Sequence, residues 1–256
     1  MDWILLRGLS REQAHWGLFP KLLTEAFPGH RFHCLDLPGA GVRAAEKSPG
    51  SIASIAERVR AESLHLTRPL GLIGLSMGGM VALDWAARYG ASEVGAMAMI
   101  NSSSGFSPPW QRMRPGVWPR VARTLVLRDP AARERAILEL TSGRPVSPEL
   151  ANRWVRIQQQ HPTRRENALA QLWAAARYKA PERPPELNAV LLASQGDRIV
   201  HWRCSQALAD RWHWPVVIHP DAGHDLVLDD PSWVVAQLSM LLSAPAGTEQ
   251  KQSVGA

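Results

Sequence analysis

The chain has 256 residues, of which 45% are hydrophobic and 20% are charged, and its formal net charge is +6. This length suits one α/β domain with an insertion and a large core, and no apolar run is long enough to cross a bilayer. The amino terminus opens on a strand-like segment, with no basic leader and apolar stretch to indicate a secretory signal, so we expect a cytoplasmic protein.

Six short apolar segments are predicted to be strands, and helical patterns separate most of them. This alternation predicts a parallel sheet with helices on both faces. Behind the first strand, Ser10 to Gln13 has the residues of a capping box and predicts a helix start. The predicted strands are Trp3–Leu6, Arg31–Leu35, Leu70–Gly74, Val94–Ile100, Ala189–Ser194 and Pro215–His219.

The third predicted strand runs into Gly74-Leu-Ser-Met-Gly78, and a helical pattern follows until Tyr89. A strand, a serine and a helix in this order form the context of a nucleophile elbow, in which a sharp turn lifts the Ser76 hydroxyl clear of the sheet. Side chains two residues before and after the serine would collide, which explains both glycines. The pentapeptide by itself also fits an ordinary glycine-rich turn, so the remaining residues of a site decide its meaning.

A serine hydroxyl becomes a good nucleophile only with a base that takes its proton and a carboxylate that orients this base. In folds with a nucleophile elbow of this kind, the three residues follow one another in the chain in the order Ser, acid, His. Asp197 lies in the turn after the fifth predicted strand, and His224 lies in the loop beyond the sixth. Because the carboxyl ends of parallel strands meet at one edge, Ser76, Asp197 and His224 are candidates for a catalytic triad. Asp221 and Asp225 are alternative acids that lie closer to the histidine in sequence. Asp197 is preferred because the acid must approach the imidazole from the side opposite the serine.

A long insertion with several helix signals separates the fourth and fifth predicted strands. Helix starts are predicted at Asp129-Pro130, Ser147-Pro148 and Thr163, and Val117–Leu127 also has a helical pattern, which gives about four helices. From Ser107 to Pro185 there are fifteen Lys and Arg residues against six Asp and Glu residues. The positive charge of the protein therefore belongs to this segment.

These motifs resemble the α/β-hydrolase superfamily, and most closely its small bacterial serine esterases, including the pimeloyl-carrier-protein methyl ester esterase type. The resemblance covers about residues 3 to 243 and is strongest at four motifs. It implies a core of residues 1–106 and 186–243, a helical cap of residues 107–185 over Ser76, and the absence of the first two strands of the family. The motifs are Gly74–Gly79, Leu35–Gly41, Gly196–Val200 and Ala222–Asp225.

The resemblance also implies an oxyanion hole formed by the backbone N–H groups of Leu9 and Met77, with Gly8 allowing close approach of the substrate. Arg7 stands where a histidine is usual in the family. A surface arginine that supports the loop is the favoured interpretation of Arg7, and contact with a carboxylate or phosphate of the substrate is the alternative.

The expected reaction is hydrolysis of a carboxylic ester, or a thioester, through an acyl-enzyme. Carbon–carbon bond hydrolases and acyltransferases share the triad, and a non-catalytic binder on the same scaffold is a further alternative. Four cap tryptophans are candidates for an apolar acyl pocket, although such side chains more often belong to a core. The four are Trp110, Trp118, Trp154 and Trp173.

The basic cap suggests an acidic partner such as an acyl-carrier protein, by resemblance to the family member named above, although a solvated helix face is the commoner role of such arginines. No nucleotide-binding glycine motif, metal-binding motif or nucleic-acid recognition motif is present, so we expect no cofactor, no metal and no nucleic acid. Cys34 and Cys204 are expected to be reduced, buried thiols. The tail, residues 244–256, lacks periodicity and is predicted to be disordered.

Overall fold

The computed structural model of the protein describes residues 1–242. The tail predicted to be disordered, residues 244–256, lies outside these described residues. Within them, no helix combines the length and the apolar character that a membrane span needs.

The centre of the fold is a six-stranded sheet whose strands all run parallel, in the order β2-β1-β3-β4-β5-β6. Each strand lies within one residue of its predicted position, so the predicted class, a parallel sheet with helices, is confirmed. The strands are β1 (Asp2–Leu6), β2 (Arg31–Leu35), β3 (Leu70–Leu75), β4 (Val94–Ile100), β5 (Asn188–Ser194) and β6 (Val216–His219).

Helices connect the strands and cover both faces of the sheet. Short 3₁₀ turns at Gln13–Trp16, Gly41–Arg43 and Pro115–Val117 accompany them. The helices of residues 1–242 are α1 (Phe19–Ala26), α2 (Ile52–Glu62), α3 (Met77–Tyr89), α4 (Pro109–Arg112), α5 (Trp118–Val126), α6 (Pro130–Thr141), α7 (Pro148–Gln160), α8 (Arg165–Arg177), α9 (Arg203–Trp212), α10 (Leu226–Asp229) and α11 (Pro231–Leu242).

The strands are apolar at successive positions because both faces of the sheet are buried. In β1, Ile4 and Leu6 pack on one face with residues of α2, α3 and α9, whereas Trp3 and Leu5 pack on the other face with residues of α1 and α11. Side chains that alternate along a strand thus serve two separate cores. The two cores hold the strands rigidly, and this fixes the positions of the loops at their carboxyl ends.

The predicted capping box after β1 is wrong in its position. Ser10 has a φ of +56°, and its backbone N–H donates to Gln171 Oε1 at 2.8 Å. The first turn begins instead at Gln13, after Glu12, whose N–H donates to His15 Nδ1 at 3.1 Å. The tertiary contact with Gln171 therefore overrides the local capping preference of Ser10.

We call residues 107–185, between β4 and β5, the cap. Its main elements are α5 to α8, in agreement with the four predicted helices. Asp129 caps α6 by accepting the N–H groups of Ala131 and Ala132, and Ser147 caps α7 by accepting that of Leu150. Thr163 makes no cap, because α8 begins two residues later at Arg165. A small apolar cluster of Leu138, Trp154 and Ile157 holds α6 and α7 together.

Candidate active site

Ser76 lies on a strained turn between β3 and α3. Its φ is +56° and its ψ is −120°, a conformation that residues other than glycine rarely adopt. A side chain at Gly74 would place its Cβ 2.4 Å from the carbonyl oxygen of Gly78, and one at Gly78 would place it 2.1 Å from that of Leu6. Both glycines are therefore required by close approach of the backbone, as the sequence predicts for a nucleophile elbow.

Neighbouring strands hold this turn in place. The backbone N–H of Ser76 donates to the carbonyl of Ile100 at the end of β4 at 2.8 Å. The hydroxyl of Ser102 donates to the carbonyl of Ser76 at 2.7 Å. With these two contacts the backbone of Ser76 is tied to the next strand, and the rigid sheet maintains the strain.

Asp197 contacts the imidazole of His224, with 2.7 Å between Asp197 Oδ2 and His224 Nδ1. The other carboxylate oxygen accepts the backbone N–H groups of Ile199 at 2.7 Å and Val200 at 2.9 Å. Because the turn after β5 fixes Oδ1, the second oxygen is aimed at the ring. Asp197 is 1% exposed and His224 is 7% exposed, so water competes little for this contact.

Burial opposes a charge on His224, but the carboxylate of Asp197 outweighs it through its charge and its hydrogen bond. The net effect raises the pKa of His224 above the ordinary value of 6.5. The proton on Nδ1 is held towards Asp197, which leaves Nε2 as the basic nitrogen.

The two alternative acids have other partners. Asp221 has a side chain that is 76% exposed and lies 3.3 Å from the ring of His219. Asp225 is buried and forms a two-pronged ion pair with Arg7, with an Oδ1–Nη1 distance of 3.0 Å. The structure therefore places Asp197, the preferred candidate, against His224.

Asn101 is a site residue that the sequence reasoning missed. It follows β4 with a φ of +45° and is 2% exposed. Its amide nitrogen donates to the carbonyls of Gly223 at 3.1 Å and His224 at 2.9 Å, and its Oδ1 accepts the N–H of Ser194 at 2.9 Å. Asn101 thus ties the histidine loop to the strand that leads to Asp197. Its only signal in the sequence is a polar residue at the end of an apolar strand.

Ser76 and His224 line one cavity of about 200 Å³. Among residues 1–242 no hydrogen bond joins the Ser76 hydroxyl to His224, and such contacts are often long before substrate binds. Leu9 and Met77, the predicted oxyanion donors, line the same cavity. Met77 is the first residue of α3, so its N–H has no acceptor within the helix.

The loop that carries Leu9 approaches Ser76 because β1 and β3 are neighbours in the sheet although β2 separates them in sequence. This is a point where strand order reverses, the usual place for ligands in open α/β sheets. A Cβ on Gly8 would lie 3.2 Å from the Cβ and 3.6 Å from the hydroxyl oxygen of Ser76. Gly8 therefore leaves space beside the nucleophile that any other residue would fill.

Arg7 is buried, at 2% exposure, so its interpretation as a surface arginine is wrong. Its guanidinium group lies over the ring of Trp16, 4.9 Å from the centroid, and pairs with Asp225. Since Asp225 follows His224 directly, this ion pair joins the loop after β1 to the histidine loop. Arg7 also belongs to the lining of the cavity.

The profile of the alpha/beta hydrolase family matches residues 3–237. The chain belongs to this family. A pimeloyl-(acyl-carrier protein) methyl ester esterase of Chromobacterium violaceum is 29% identical over 118 residues, which are 46% of this chain and 41% of that relative. The chain thus matches less than half the length of that relative.

Two further comparisons extend over nearly all of the hydrolase. A protein of Cronobacter turicensis described as a candidate carbamate hydrolase, RutD, is 25% identical over 94% of this chain and 92% of its own length. Among solved structures, an esterase of Exiguobacterium antarcticum superposes with a TM-score of 0.76 at 16% identity, over 95% of this chain and 92% of that one. At that identity the superposition shows a shared fold.

The four cap tryptophans of the hydrolase do not line the cavity, so their predicted role in an acyl pocket is corrected. Trp110, Trp118 and Trp173 are 58–62% exposed on the outside of the cap. Trp154 is buried in the cluster between α6 and α7, with Arg11 over its ring at 4.9 Å. Aliphatic side chains line the cavity instead, because the inner faces of α5, α6 and α8 carry them: Val121, Leu125, Ile137, Leu140 and Leu172.

The end of α6 is packed against the histidine loop through backbone contacts. A Cβ on Gly143 would lie 2.5 Å from the backbone nitrogen of Gly223, and one on Gly223 would lie 2.3 Å from that of Gly143. The carboxylate of Asp229 accepts both of these N–H groups, at 2.7 Å and 2.6 Å. The cap of the hydrolase is therefore continuous with the loop that holds His224.

Proposed function

We propose that the protein is a serine hydrolase that cleaves carboxylic esters through an acyl-enzyme, with Ser76 as the nucleophile, His224 as the base and Asp197 as the orienting acid. One observation carries the proposal. The strained serine turn and His224 share a cavity, and the far nitrogen of the same imidazole contacts a buried carboxylate.

In the proposed reaction, Ser76 Oγ attacks the carbonyl carbon of the ester while its proton moves to His224 Nε2. The backbone N–H groups of Leu9 and Met77 stabilise the negative charge that develops on the carbonyl oxygen, by about 3 kcal/mol for each donor. The tetrahedral intermediate collapses, the bond to the alcohol breaks, and His224 gives its proton to the alcohol. Water then repeats the attack on the acyl-enzyme and releases the acid.

A fluorophosphonate probe and a panel of aryl esters of graded chain length test this proposal. We expect the folded protein to be labelled at Ser76 and to hydrolyse esters. In Ser76→Ala we expect no labelling and a rate of hydrolysis that is lower by at least about 10⁴-fold. Ser92→Ala is a matched control, because it removes an exposed hydroxyl that does not line the cavity. A folded wild-type protein that is neither labelled nor active would favour the non-catalytic binder.

A second candidate, in which an acidic carrier protein presents the acyl group, is favoured by a groove on the cap. Among the residues that line this groove, Glu139 is the single acidic side chain and five are arginines: Arg120, Arg123, Arg135, Arg144 and Arg198. Arg198 follows Asp197 directly, so the groove lies beside the proposed active site. Planar guanidinium groups suit carboxylates and phosphates, the groups that an acidic carrier offers.

The carrier hypothesis is tested by comparing one acyl group on a small alcohol and on a carrier protein, at low and high salt. We expect Arg120→Glu with Arg123→Glu to lower kcat/KM for the carrier alone. Arg153→Glu with Arg156→Glu is the matched control, since both residues are exposed on α7 outside the groove. An equal fall of kcat/KM in both double variants would contradict docking in the groove and indicate only a long-range effect of charge.

We also propose that the protein works in a reducing compartment such as the cytoplasm. Cys34 and Cys204 are free, and burial raises the pKa of Cys34 to about 12 and that of Cys204 to about 11. Thiols with such high pKa values react slowly. Cys204 is buried as expected, whereas Cys34 is half-buried and packs against the core around Trp3 and Leu5.

A further inference from the structure

The walls of the active-site cavity carry an excess of positive charge. Five arginines line it, against one acidic residue, Asp225: Arg7, Arg11, Arg112, Arg133 and Arg165. Asp225 neutralises Arg7, and the buried carboxylate of Glu134 neutralises Arg11. Among the salt bridges of residues 1–242, none involves the other three.

Arg133 and Arg165 come together at one end of the cavity. Arg133 donates from Nη2 to the carbonyl of Leu127 at 2.9 Å, and Arg165 donates from Nη2 to the carbonyls of Val126 at 3.3 Å and Leu127 at 3.4 Å. Two guanidinium groups from different helices thus meet at the end of α5. Carbonyl oxygens hold them there without cancelling their charge, so further donors remain for an anion.

This end of the cavity is remote from Ser76. The face of α8 that lines the cavity runs from Arg165 to Ala175, which is ten residues or about 15 Å of helix. The Ala175 end of this face is the one nearer to Ser76. Arg112 bonds both to the carbonyl of Ala175 and to the hydroxyl of Ser103, which lines the cavity. The residue before it, Ser102, bonds to the carbonyl of Ser76.

Two further polar side chains of the cap line the cavity and have no partner within residues 1–242. Gln158 is 5% exposed and Thr163 is 8% exposed, and neither side chain takes part in a hydrogen bond there. Thr163 lies two residues before Arg165. Neither side chain is among those whose unpartnered polar atoms are fully enclosed, so both can bond to a ligand in the cavity.

We propose that this end of the cavity, formed by Arg133, Arg165 and Thr163, binds an anionic group at the far end of the substrate. The inference rests on the proposed esterase function and specifies its substrate class. The substrate is an ester whose apolar chain lies along the aliphatic wall of the cavity and ends in an oxyanion, a carboxylate or a phosphate. Arginine pairs with both groups through two N–H donors.

The test compares methyl esters of equal chain length that end in a methyl group, a carboxylate or a phosphate. We expect kcat/KM of the wild type to be about tenfold or more higher for one of the anionic esters than for the neutral one. The larger of the two anionic values identifies the preferred oxyanion. A wild type that hydrolyses the neutral ester equally well or better would overturn the inference and leave the esterase proposal intact.

The variant Arg133→Gln with Arg165→Gln is expected to lose this preference while neutral esters keep their rate within about threefold. The matched control, Arg128→Gln with Arg164→Gln, removes the same charge from exposed positions outside both the cavity and the groove. An equal loss of preference in the control would overturn the inference. Competitive inhibition of the wild type by a diacid and by the monoacid of equal length gives a measurement that is independent of variant folding, and equal inhibition by both would contradict the proposal.

Discussion

The core and the cap of this protein hold their residues by different means. At the carboxyl edge of the sheet, backbone atoms approach closely, as at Gly74 and Gly78, and buried hydrogen bonds fix Asp197 and His224. In the cap, α4 and α5 have no buried residue, and arginines bond mainly to backbone carbonyls. In the function that we propose, the core determines which bond is broken, whereas the cap determines what the substrate carries.

The largest expected effect belongs to the core. Asp197→Asn removes the charge that orients the imidazole and stabilises its cation, and we expect kcat to fall about 10⁴-fold with little change in KM. Steady-state hydrolysis of an aryl ester measures it. Asp221→Asn is the control, because that carboxylate is exposed, and its kcat is expected to stay within about threefold. A large loss at Asp221 with a small one at Asp197 would reverse the assignment of the acid.

The contact between Asp197 and His224 also predicts how kcat/KM depends on pH. In the proposed reaction His224 must be neutral to accept the proton of Ser76, and Asp197 raises the pKa of His224. We therefore expect kcat/KM of the wild type to fall as the pH drops, with a midpoint above 6.5. In the residual activity of Asp197→Asn the midpoint should lie at lower pH. An acid midpoint below 6.5 in the wild type would contradict the assigned contact.

These core features were the part that the sequence allowed us to predict. A nucleophile elbow requires glycine at fixed spacing, and the order of strands puts Asp197 and His224 at one edge of the sheet whatever the details of packing. Asn101 was missed because its role depends on a loop more than a hundred residues away. Arg7 and Ser10 were misread for a related reason, since their partners, Asp225 and Gln171, are distant in sequence.

The next effect concerns the boundary between the two regions. In Gly143→Ala the new Cβ would lie 2.5 Å from the backbone of Gly223, so the histidine loop must shift. We expect kcat to fall by about 10- to 100-fold and Tm to fall, because small displacements of catalytic groups are costly. Gly116→Ala is the matched control in the cap, since its Cβ would meet nothing within 4 Å. Unchanged kcat in Gly143→Ala would show that the cap and the base are independent.

The smallest effect is expected on the outer surface of the cap. Trp173→Ala should change kcat/KM for a small soluble ester by less than about twofold, because Trp173 is 58% exposed and does not line the cavity. Trp154→Ala removes a buried ring, and should lower the free energy of unfolding by about 3–5 kcal/mol. Kinetics together with urea unfolding separate the two. A strong kinetic effect at Trp173 would restore the acyl-pocket role that the sequence suggested.

These four tryptophans also show why the cap was harder to predict than the core. Helical spacing identified the helices, but four helices of similar composition can pack with different faces inward. Which face turns inward is decided by contacts such as the cluster of Leu138, Trp154 and Ile157, and composition does not reveal those contacts.

The backbone contact between Gly143 and Gly223 has a consequence for how the cavity opens. Since α6 cannot move away without moving His224, entry of a chain has to rely on α5, in which no residue is buried. We therefore expect α5 to be the movable wall of the cavity and α6 to be its fixed wall. Exchanging this helix for one from another member of the family should alter the choice of substrate while the groups that transfer the proton keep their alignment.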